Sequence, residues 1–408
     1  MNKAESERLG SFFERQSYQA TATTEEADII VLNSCVVRQS AENRVINKLD
    51  ALKSLKRSRP SLIIAVTGCL VEHDIEQLKK DYPYVDYFFK PGDHPQHLEK
   101  TEWANRVLPQ YPYSSVYVPI IQGCDNFCSY CIVPYRRGRE RSRSVAEITG
   151  EVREFVRHSV KEVTLLGQNV DSYGHDLPDK PDLADLLTEL NVIDGLARIR
   201  FLTSHPKDMS TKLIEAVARL DKVCEQISLP VQSGNNDILK AMRRGYTVEH
   251  YHRLITKIRR KIPEAALSTD VIVGFPSESE EQFQQTFSLL SELKFDTVHV
   301  AAYSPRPGTT AARELDDNIP AAEKRRRLNE IEQLQESVAA EVNAQLLGKV
   351  VEVLVEGKKQ DKWQGRTGSG KLVFLSDNGN YLGQLVTVSI EKTSPWSLQG
   401  KIKLSCMN

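Results

Sequence analysis

A sixfold alternation of short apolar runs with segments of helical periodicity occupies the middle of this chain. Continuous apolar runs of this length are typical of parallel strands that are buried on both faces. The predicted strands are Tyr117–Ile121, Val163–Leu166, Ile199–Thr203, Ile227–Val231, Leu267–Val273 and Thr297–Tyr303. Such a series of strand–helix units favours a partial (β/α)6 barrel, in which active chemistry lies at the carboxyl ends of the strands.

Different patterns flank this alternation on both sides. Apolar runs at Ile29–Asn33 and Leu62–Thr67 surround an amphipathic helix, which predicts a Rossmann-like α/β domain. A long charged helix is predicted over residues 321–347, and we expect its basic cluster Lys324–Arg327 to be a solvated face. Beyond it, apolar and polar residues alternate between glycines, as in a small antiparallel β-barrel. We therefore expect three domains, at residues 1–110, 111–340 and 341–405.

Composition and charge narrow the classes of protein to consider. The 408 residues are 40% hydrophobic and 27% charged, which is ordinary for a soluble globular protein. No apolar run is long enough to cross a bilayer and the first residues are polar, so we expect a cytoplasmic protein without membrane contact. A net charge of -1 argues against attraction of the whole surface to nucleic acid. Seven cysteines are too few for a secreted disulfide scaffold, and three of them fall within eight residues, which points to a metal site.

The segment Gln122-Gly-Cys124-Asp-Asn-Phe-Cys128-Ser-Tyr-Cys131, called the cysteine loop below, directly follows the first barrel strand. Its spacing lets one short loop wrap three thiolates around a compact cluster, and thiolates are the soft ligands that iron–sulfur clusters require. Three ligands on a four-iron cluster leave one iron open to a small-molecule cofactor. The alternatives are three unrelated structural cysteines, or a closed zinc site, for which no fourth ligand is adjacent.

The cysteine loop resembles that of the radical S-adenosylmethionine superfamily, which has the same cysteine spacing. The resemblance implies that Cys124, Cys128 and Cys131 hold a [4Fe-4S] cluster whose open iron binds the amino and carboxylate groups of S-adenosyl-L-methionine. It also implies that one electron cleaves this cofactor to a 5′-deoxyadenosyl radical, and we predict no catalytic side chain beyond the cluster ligands. Tyr130 matches the family position that packs near the adenine, although ordinary loop packing also explains an aromatic residue there.

The cysteine loop with its flanking sequence, from Ile121 to Glu140 and followed by Ser142-Arg143, is similar to the tRNA-modifying branch of the methylthiotransferases. The similarity continues at the predicted strand ends, in Leu165–Asn169, Arg200–Pro206, Leu229–Gly234, Asp270–Pro276 and Tyr303–Thr309. Polar residues at these positions line the cofactor cavity in the family, so the resemblance implies that Gln168, Asn169 and Ser204 contact S-adenosyl-L-methionine. Each of the three could instead be a helix cap or a turn residue.

The same family carries an auxiliary cluster on three cysteines of its N-terminal domain. Cys35 and Cys69 each follow a predicted buried strand, so the resemblance implies that both bind this second [4Fe-4S] cluster. The family's third cysteine lies two residues before a Met-Asn pair, which here is Met1-Asn2. We therefore expect that the first strand and the third ligand are missing because the start is placed too far downstream, and that two ligands alone hold a labile cluster. Burial is the alternative role for both cysteines, and it is the predicted role of Cys224.

A basic stretch follows the cysteine loop and contains Arg136, Arg137, Arg139, Arg141 and Arg143. Guanidinium groups bind phosphate oxygens in pairs, although pairing with carboxylates of the same chain is the alternative for part of the stretch. The C-terminal barrel resembles the small RNA-binding TRAM module of the family.

The resemblance as a whole implies an enzyme that attaches a methylthio group to carbon 2 of N(6)-dimethylallyladenosine beside the anticodon of tRNA. The implied partners are the tRNA anticodon loop, whose bases leave their stack at low cost, and a reductant such as flavodoxin or ferredoxin. We expect the protein to be a monomer. Two alternatives stay open: a sister methylthiotransferase that acts on threonylcarbamoyl-adenosine or a ribosomal protein aspartate, and a non-catalytic iron–sulfur protein that binds RNA.

Overall fold

The computed structural model describes residues 1–34, 39–71, 75–91, 93, 114–377 and 379–403. These residues form two compact units. The first unit consists of the described part of residues 1–111 together with Gly123–Asp125 and Cys131–Arg139, and the second consists of the other described residues. Within the described ranges, no helix is both long and apolar enough to span a membrane.

The first unit is built on a parallel three-stranded sheet. Its strands in spatial order are β1 (Ile29–Ser34), β2 (Ile63–Gly68) and β3 (Tyr87–Phe88). Its helices are α1 (Asn2–Arg15), α2 (Gln39–Ser58), α3 (Ile75–Asp81) and α4 (Val133–Arg137). The core is made by the apolar strand residues and one face of α2, with Leu49 and Ile64 fully buried. Ser34 pairs with Gly68, so both predicted strands are confirmed and both end at the same edge of the sheet.

The second unit contains the predicted sixfold alternation. Its strands before the barrel are β4 (Ser115–Pro119), β5 (Ile121–Gln122), β6 (Arg141–Ser142), β7 (Glu162–Leu166), β8 (Arg198–Phe201), β9 (Gln226–Ser228), β10 (Ala266–Val273) and β11 (Thr297–Ala302). Two parallel sheets form, β4-β7-β8 and β9-β10-β11, while β5 and β6 pair in an antiparallel ribbon. Ile199 on β8 bridges in parallel to Val223, just before β9, and links the two sheets. The predicted parallel strands of a partial barrel are therefore confirmed.

Helices connect the successive strands of this unit. They are α5 (Val145–Arg157), α6 (Leu183–Asn191), α7 (Thr211–Arg219), α8 (Asn236–Ala241), α9 (Val248–Lys261), α10 (Glu280–Leu293), α11 (Thr310–Glu314) and α12 (Ala321–Ala344). The local sequence sets their starts: Ser144 and Glu147 form a capping box on α5, and Asp182 and Asp185 form another on α6. Such caps fix where each helix begins after the preceding strand-end loop, and those loops carry the candidate site.

The predicted solvated basic face of α12 is wrong for two residues. Arg327 is buried and lies 2.9 Å from the carboxylate of the buried Glu278. Lys324 is also buried, donates to the Tyr303 carbonyl at 3.1 Å and pairs with Asp317. Arg327 also pairs with Glu323 of the same helix at 2.7 Å. Because a buried charge needs a partner, both cations contact groups outside the helix as well, and a local charge pattern does not reveal those groups.

A closed five-stranded barrel follows α12. Its strands are β12 (Val350–Lys359), β13 (Lys362–Thr367), β14 (Leu372–Leu375), β15 (Leu385–Thr393) and β16 (Leu398–Ile402). Their order is β12-β13-β14-β16-β15, and all neighbours are antiparallel except β14 and β16. Gly365 on β13 has no room for a side chain, because a Cβ there would lie 2.2 Å from the Leu354 carbonyl oxygen. The predicted antiparallel barrel is thus confirmed apart from one parallel pair.

Two buried arginines of β8 anchor this barrel to the parallel strands. Arg198 donates to the Glu352 carbonyl at 3.0 Å and to the carboxylate of the same residue at 2.9 Å. Arg200 donates to the Gly368 carbonyl at 2.8 Å. Both arginines lie beside the buried Glu162, and Arg200 Nε is 3.0 Å from its carboxylate. The strand that continues the parallel sheet therefore also holds the barrel in place.

Candidate functional site

The cysteine loop turns sharply at Gly123. This residue has a φ of +82°, and a Cβ there would lie 2.1 Å from the Arg139 carbonyl oxygen. Cys124 then donates its backbone N–H to the Gly138 carbonyl at 3.2 Å. These contacts lie within the first unit and fix where the loop begins.

The central part of the loop belongs to the second unit and is tied to the end of α8. Ser129 donates its backbone N–H to the Met242 carbonyl at 3.0 Å and its hydroxyl to the Ala241 carbonyl at 2.7 Å. Carbonyls at the end of a helix lack partners inside the helix, so they are available for such contacts. Cys128, next to Ser129, is thereby held in a buried position.

A buried arginine faces Cys128. Arg244 is 5% exposed, and its Nη1 lies 3.4 Å from Cys128 Sγ and 3.5 Å from the Tyr130 hydroxyl. Its other nitrogens donate to the Tyr246 hydroxyl at 2.9 Å and to the Pro230 carbonyl at 3.0 Å. Burial opposes the charge, but Tyr130, Tyr246 and Cys128 outweigh it and raise the pKa of Arg244 well above its usual value. The guanidinium is therefore charged at any ordinary pH.

The three cysteines of the loop differ in burial, since Cys128 is buried while Cys124 and Cys131 are half-buried. In the part of the chain that the structure describes, no three Cys, His, Asp or Glu side chains are gathered as a metal-binding group. The donor set nevertheless fits an iron–sulfur cluster, because thiols are its proper ligands and a guanidinium lies beside one of them. Their assignment as ligands stays a prediction.

Two of the predicted cofactor contacts lie in loops that meet beyond β7 and β8. Asn169 is buried and donates its Nδ2 to Asp208 at 2.7 Å. Ser204 is buried and donates its hydroxyl to Asp171 Oδ1 at 2.8 Å. The backbone N–H of His205 donates to the other oxygen of Asp171 at 3.0 Å. Asn169 and Ser204 therefore hold Asp208 and Asp171 in place. The group Gln168, Asn169, Asp171, Ser204, His205 and Asp208 is called the strand-end cluster below.

The strand-end cluster contains buried polar atoms that lack a hydrogen-bond partner among the described residues. These atoms are Gln168 Oε1, Asn169 Oδ1 and His205 Nε2. Because buried polar atoms in proteins are normally paired, these atoms suit a polar ligand such as the amino-acid part of S-adenosyl-L-methionine. The predicted contacts of Gln168, Asn169 and Ser204 with this cofactor stay predictions.

Burial also sets the charges of this cluster. Burial raises the pKa of Asp171 to about 7, against the opposing effect of hydrogen bonds from His205 and Ser204. Burial lowers the pKa of His205 to about 2, and the charges of Arg244 and Lys207 add to the effect. At neutral pH the imidazole is therefore uncharged, and Asp171 is divided between its two forms.

Tyr130 rests on an apolar cluster of the second unit. Its half-buried ring packs against a group of buried side chains that includes Met242, Phe275 and Tyr303. An apolar surface of this kind suits a flat heterocycle, but it equally suits ordinary packing of the ring. The contact of Tyr130 with adenine stays a prediction.

The second predicted cluster site lies at the sheet edge of the first unit. Cys69 directly follows β2 and is buried, with Arg137 Nη2 at 3.1 Å from its Sγ. The same Arg137 nitrogen donates to Asn2 Oδ1 at 2.8 Å, and Asn2 Nδ2 donates to the Ser34 carbonyl at the end of β1. Cys35, the other predicted ligand, lies outside the described residues. The described half of the site thus joins one thiol to an arginine.

The basic stretch divides between internal contacts and exposure. Arg143 lies 2.6 Å from the Glu151 carboxylate, and Arg139 lies 3.1 Å from that of Asp125. Arg141 is exposed. Intramolecular pairing therefore accounts for part of the stretch, as its alternative interpretation states.

Sequence reasoning missed Arg244 altogether, and it assigned Arg137 to phosphate binding without its contact with Cys69. Arg244 contacts a cysteine 116 positions away, and Arg137 contacts one 68 positions away. Asp171 was not singled out either, although it lies two residues beyond Asn169 in the same loop. No local pattern in the sequence marks either arginine contact, because the partners come together only in the folded chain.

Three families match successive parts of this chain. The uncharacterized protein family UPF0004 matches residues 1–90, the Radical SAM superfamily matches residues 118–290 and the TRAM domain matches residues 344–403.

Curated relatives match the chain over nearly its full length. The tRNA-2-methylthio-N(6)-dimethylallyladenosine synthase of Dehalococcoides mccartyi (strain CBDB1) is 57% identical over 98% of this chain and 96% of its own length. Proteins of the same name from Chloroflexus aurantiacus and Thermoanaerobacter pseudethanolicus are 48% and 43% identical, again over 98% of this chain and over 89% and 90% of their own lengths.

Among solved structures, the radical S-adenosylmethionine methyltransferase TsrM from Kitasatospora setae aligns with a TM-score of 0.52 and 12% identity. The alignment covers 74% of this chain and 66% of that one. Similarity at this level of identity concerns the fold.

Proposed function

Since the chain belongs to the family of tRNA-2-methylthio-N(6)-dimethylallyladenosine synthases within the radical S-adenosylmethionine superfamily, we propose that it attaches a methylthio group to carbon 2 of N(6)-dimethylallyladenosine beside the anticodon of tRNA. The observation that carries this function is the 57% identity over 98% of the chain and 96% of the relative. The two alternative functions are not favoured, because full-length relatives at 43% identity and above share this one name.

Cys124, Cys128 and Cys131 would hold a [4Fe-4S] cluster with one iron open to S-adenosyl-L-methionine. When bound, the cluster supplies the electron that cleaves this cofactor. The chain itself keeps the loop in position. The turn at Gly123 sets its start, and the hydrogen bonds of Ser129 to the end of α8 hold its centre.

The strand-end cluster would receive S-adenosyl-L-methionine. Gln168 Oε1 and Asn169 Oδ1 are acceptors, so they suit an ammonium group, while the Ser204 hydroxyl is kept in place by Asp171. The uncharged His205 offers a further nitrogen without adding charge. Burial of these groups keeps water out of a site where a reactive species would otherwise be lost.

Cys35 and Cys69 would hold part of a second [4Fe-4S] cluster, which is the family's source of sulfur chemistry. The position of Cys69 after β2 supports this role, and Arg137 places a positive charge 3.1 Å from its sulfur, which suits a cluster ligand.

The barrel would bind tRNA, and its anchors on β8 would keep it in one orientation to the parallel strands. We further propose that the chain divides into domains at residues 1–110, 111–340 and 341–405. The separate family matches at residues 1–90, 118–290 and 344–403 support a division into three parts. A monomer in the cytoplasm, reduced by flavodoxin or ferredoxin, completes the proposal.

An RNA digest tests this function. A strain without the gene should lack 2-methylthio-N(6)-dimethylallyladenosine and accumulate N(6)-dimethylallyladenosine, and this chain should restore the modified nucleoside. Cys128→Ala should fail to restore it, while Cys224→Ala, which changes a buried cysteine away from the loop, should succeed. Unchanged nucleosides in the deletion strain would contradict the proposal.

The second cluster is tested separately by iron and sulfide analysis of anaerobically reconstituted protein. Because two thiolates alone hold a labile cluster, Cys35→Ala/Cys69→Ala should bind less iron per chain than the unaltered chain, by at most about four. Equal iron in both proteins would contradict the assignment of these cysteines.

A further inference from the structure

The buried charge of Arg244 lacks a carboxylate partner. Its hydrogen-bond acceptors are the Tyr246 hydroxyl, the Pro230 carbonyl, the Tyr130 hydroxyl and Cys128 Sγ. No Asp or Glu of the described residues pairs with it, whereas three other buried arginines of this unit, Arg198, Arg200 and Arg327, each have a carboxylate within 3.0 Å. Among these acceptors only the Cys128 sulfur would be an anion as a metal ligand.

Burial makes this arrangement costly unless an anion is present. Transfer of an unpaired charge into a protein interior costs several kcal/mol. The Tyr246 ring, whose centroid lies 5.3 Å from the guanidinium carbon, and the neutral oxygens offset only part of that cost. The structure therefore supplies a fixed positive charge at the one buried thiol of the cysteine loop.

The surroundings keep this charge at a fixed distance from the loop. Arg243 has a φ of +58° and Gly245 has a φ of +71°, so the chain turns sharply on both sides of Arg244. The Arg244 backbone N–H donates to the Leu239 carbonyl of α8 at 3.0 Å. The same end of α8 accepts the hydrogen bonds of Ser129, so the cysteine loop and Arg244 share one rigid support.

We propose that Arg244 is a positioning residue whose buried guanidinium, fixed at Cys128, raises the reduction potential of the cluster that the cysteine loop binds. One-electron reduction adds a single negative charge to the cluster and its thiolates without breaking a bond. A nearby buried cation favours this more negative state, because opposite charges attract strongly at low dielectric constant. The electron comes from a low-potential one-electron donor, for which dithionite serves in the test. The inference rests on the proposed function only in that the loop binds a [4Fe-4S] cluster.

The experiment is a redox titration followed by electron paramagnetic resonance, without tRNA or S-adenosyl-L-methionine. All variants carry Cys35→Ala and Cys69→Ala, so that the signal comes from one cluster. Iron and sulfide per chain are measured first. R244Q and R244M remove the charge, R244K keeps it, and K207Q removes an exposed lysine that donates to Asn126 of the same loop at 2.7 Å.

We expect R244Q and R244M to show at least a tenfold lower ratio of reduced to oxidised cluster at a given potential. For a one-electron couple, a tenfold change moves the midpoint potential by about 59 mV to more negative values. R244K and K207Q should stay near the unaltered midpoint. A purely structural role of Arg244 would lower the iron content and leave the midpoint of the loaded fraction unchanged.

The inference is overturned if loaded R244Q or R244M has the unaltered midpoint, or if R244K shifts as far as they do. If neither neutral variant binds iron, R244K decides: an unaltered midpoint supports the inference, and a shifted midpoint or failure to bind iron overturns it. If the unaltered chain binds no cluster at all, the proposed function is refuted. If the midpoint shifts as expected but the chain does not transfer a methylthio group, the role of Arg244 is upheld and the proposed function is refuted.

Discussion

Replacement of Glu162 tests how the barrel is held. Glu162 is 3% exposed and is the only described carboxylate within 4 Å of Arg200, which is itself 6% exposed. Glu162→Gln keeps the size of the side chain and removes its charge, which leaves the Arg200 guanidinium buried among carbonyls. Removal of one partner of a buried ion pair costs about 3–5 kcal/mol. Arg198 still pairs with the Glu352 carboxylate at 2.9 Å, so we expect the free energy of unfolding to fall by about 3 kcal/mol, near the lower end of that range.

The assay is urea unfolding followed by circular dichroism, with limited proteolysis to detect release of the barrel. Glu391→Gln is the matched control, because Glu391 pairs with Lys401 at 2.9 Å while both side chains are largely exposed, and such a pair contributes roughly 0–1 kcal/mol. The free energy of unfolding of E162Q/R200Q should fall by less than the sum of the decreases in the two single variants, because the two side chains interact directly. If E162Q is as stable as E391Q, the buried pair does not hold the barrel and the reasoning is refuted.

Three further substitutions test the pH dependence, the cysteine loop and the barrel. Burial raises the pKa of Asp171 from 3.8 to about 7 in the folded chain, so the unaltered protein loses stability as pH rises from about 4 to 7. The side chain that D171N introduces stays neutral at every pH. The free energy of unfolding of D171N, measured relative to the unaltered chain, should therefore rise by on the order of a few kcal/mol over that window. Gly123→Ala should sharply reduce iron bound per chain, because its Cβ meets the Arg139 carbonyl, whereas Gly150→Ala, with open space around it, should bind iron normally. Asn343→Ala should lower the unfolding free energy by about 1–3 kcal/mol in urea, because two carbonyls of the turn between β15 and β16 lose their donor.

The parallel strands and the cysteine loop could be predicted because their signals are local. Each apolar run has the length of a buried strand, and Gly123 and the three cysteines lie within nine consecutive residues. The basic cluster on α12 shows where local reasoning fails. Lys324 and Arg327 occupy a charged helix, yet Arg327 meets Glu278, which lies 49 positions away. Burial of a charge depends on which distant groups come to it, and a single sequence does not reveal that.

The same limit explains what was missed at the two candidate cluster sites, and it suggests what to look for. At both sites an arginine far away in sequence donates to a buried thiol: Arg244 to Cys128 at 3.4 Å and Arg137 to Cys69 at 3.1 Å. A thiol buried as a neutral group needs no such partner. Burial raises the pKa of Cys224 to about 11, although the nearby charges of Arg200 and Arg198 oppose this shift. A thiolate that binds a metal in a buried position gains from a fixed cation, because the protein interior screens its charge poorly. An arginine beside a buried thiol is therefore evidence that the thiol is a metal ligand, and this evidence is independent of cysteine spacing. It supports the assignment of Cys69 as a ligand without reference to Cys35.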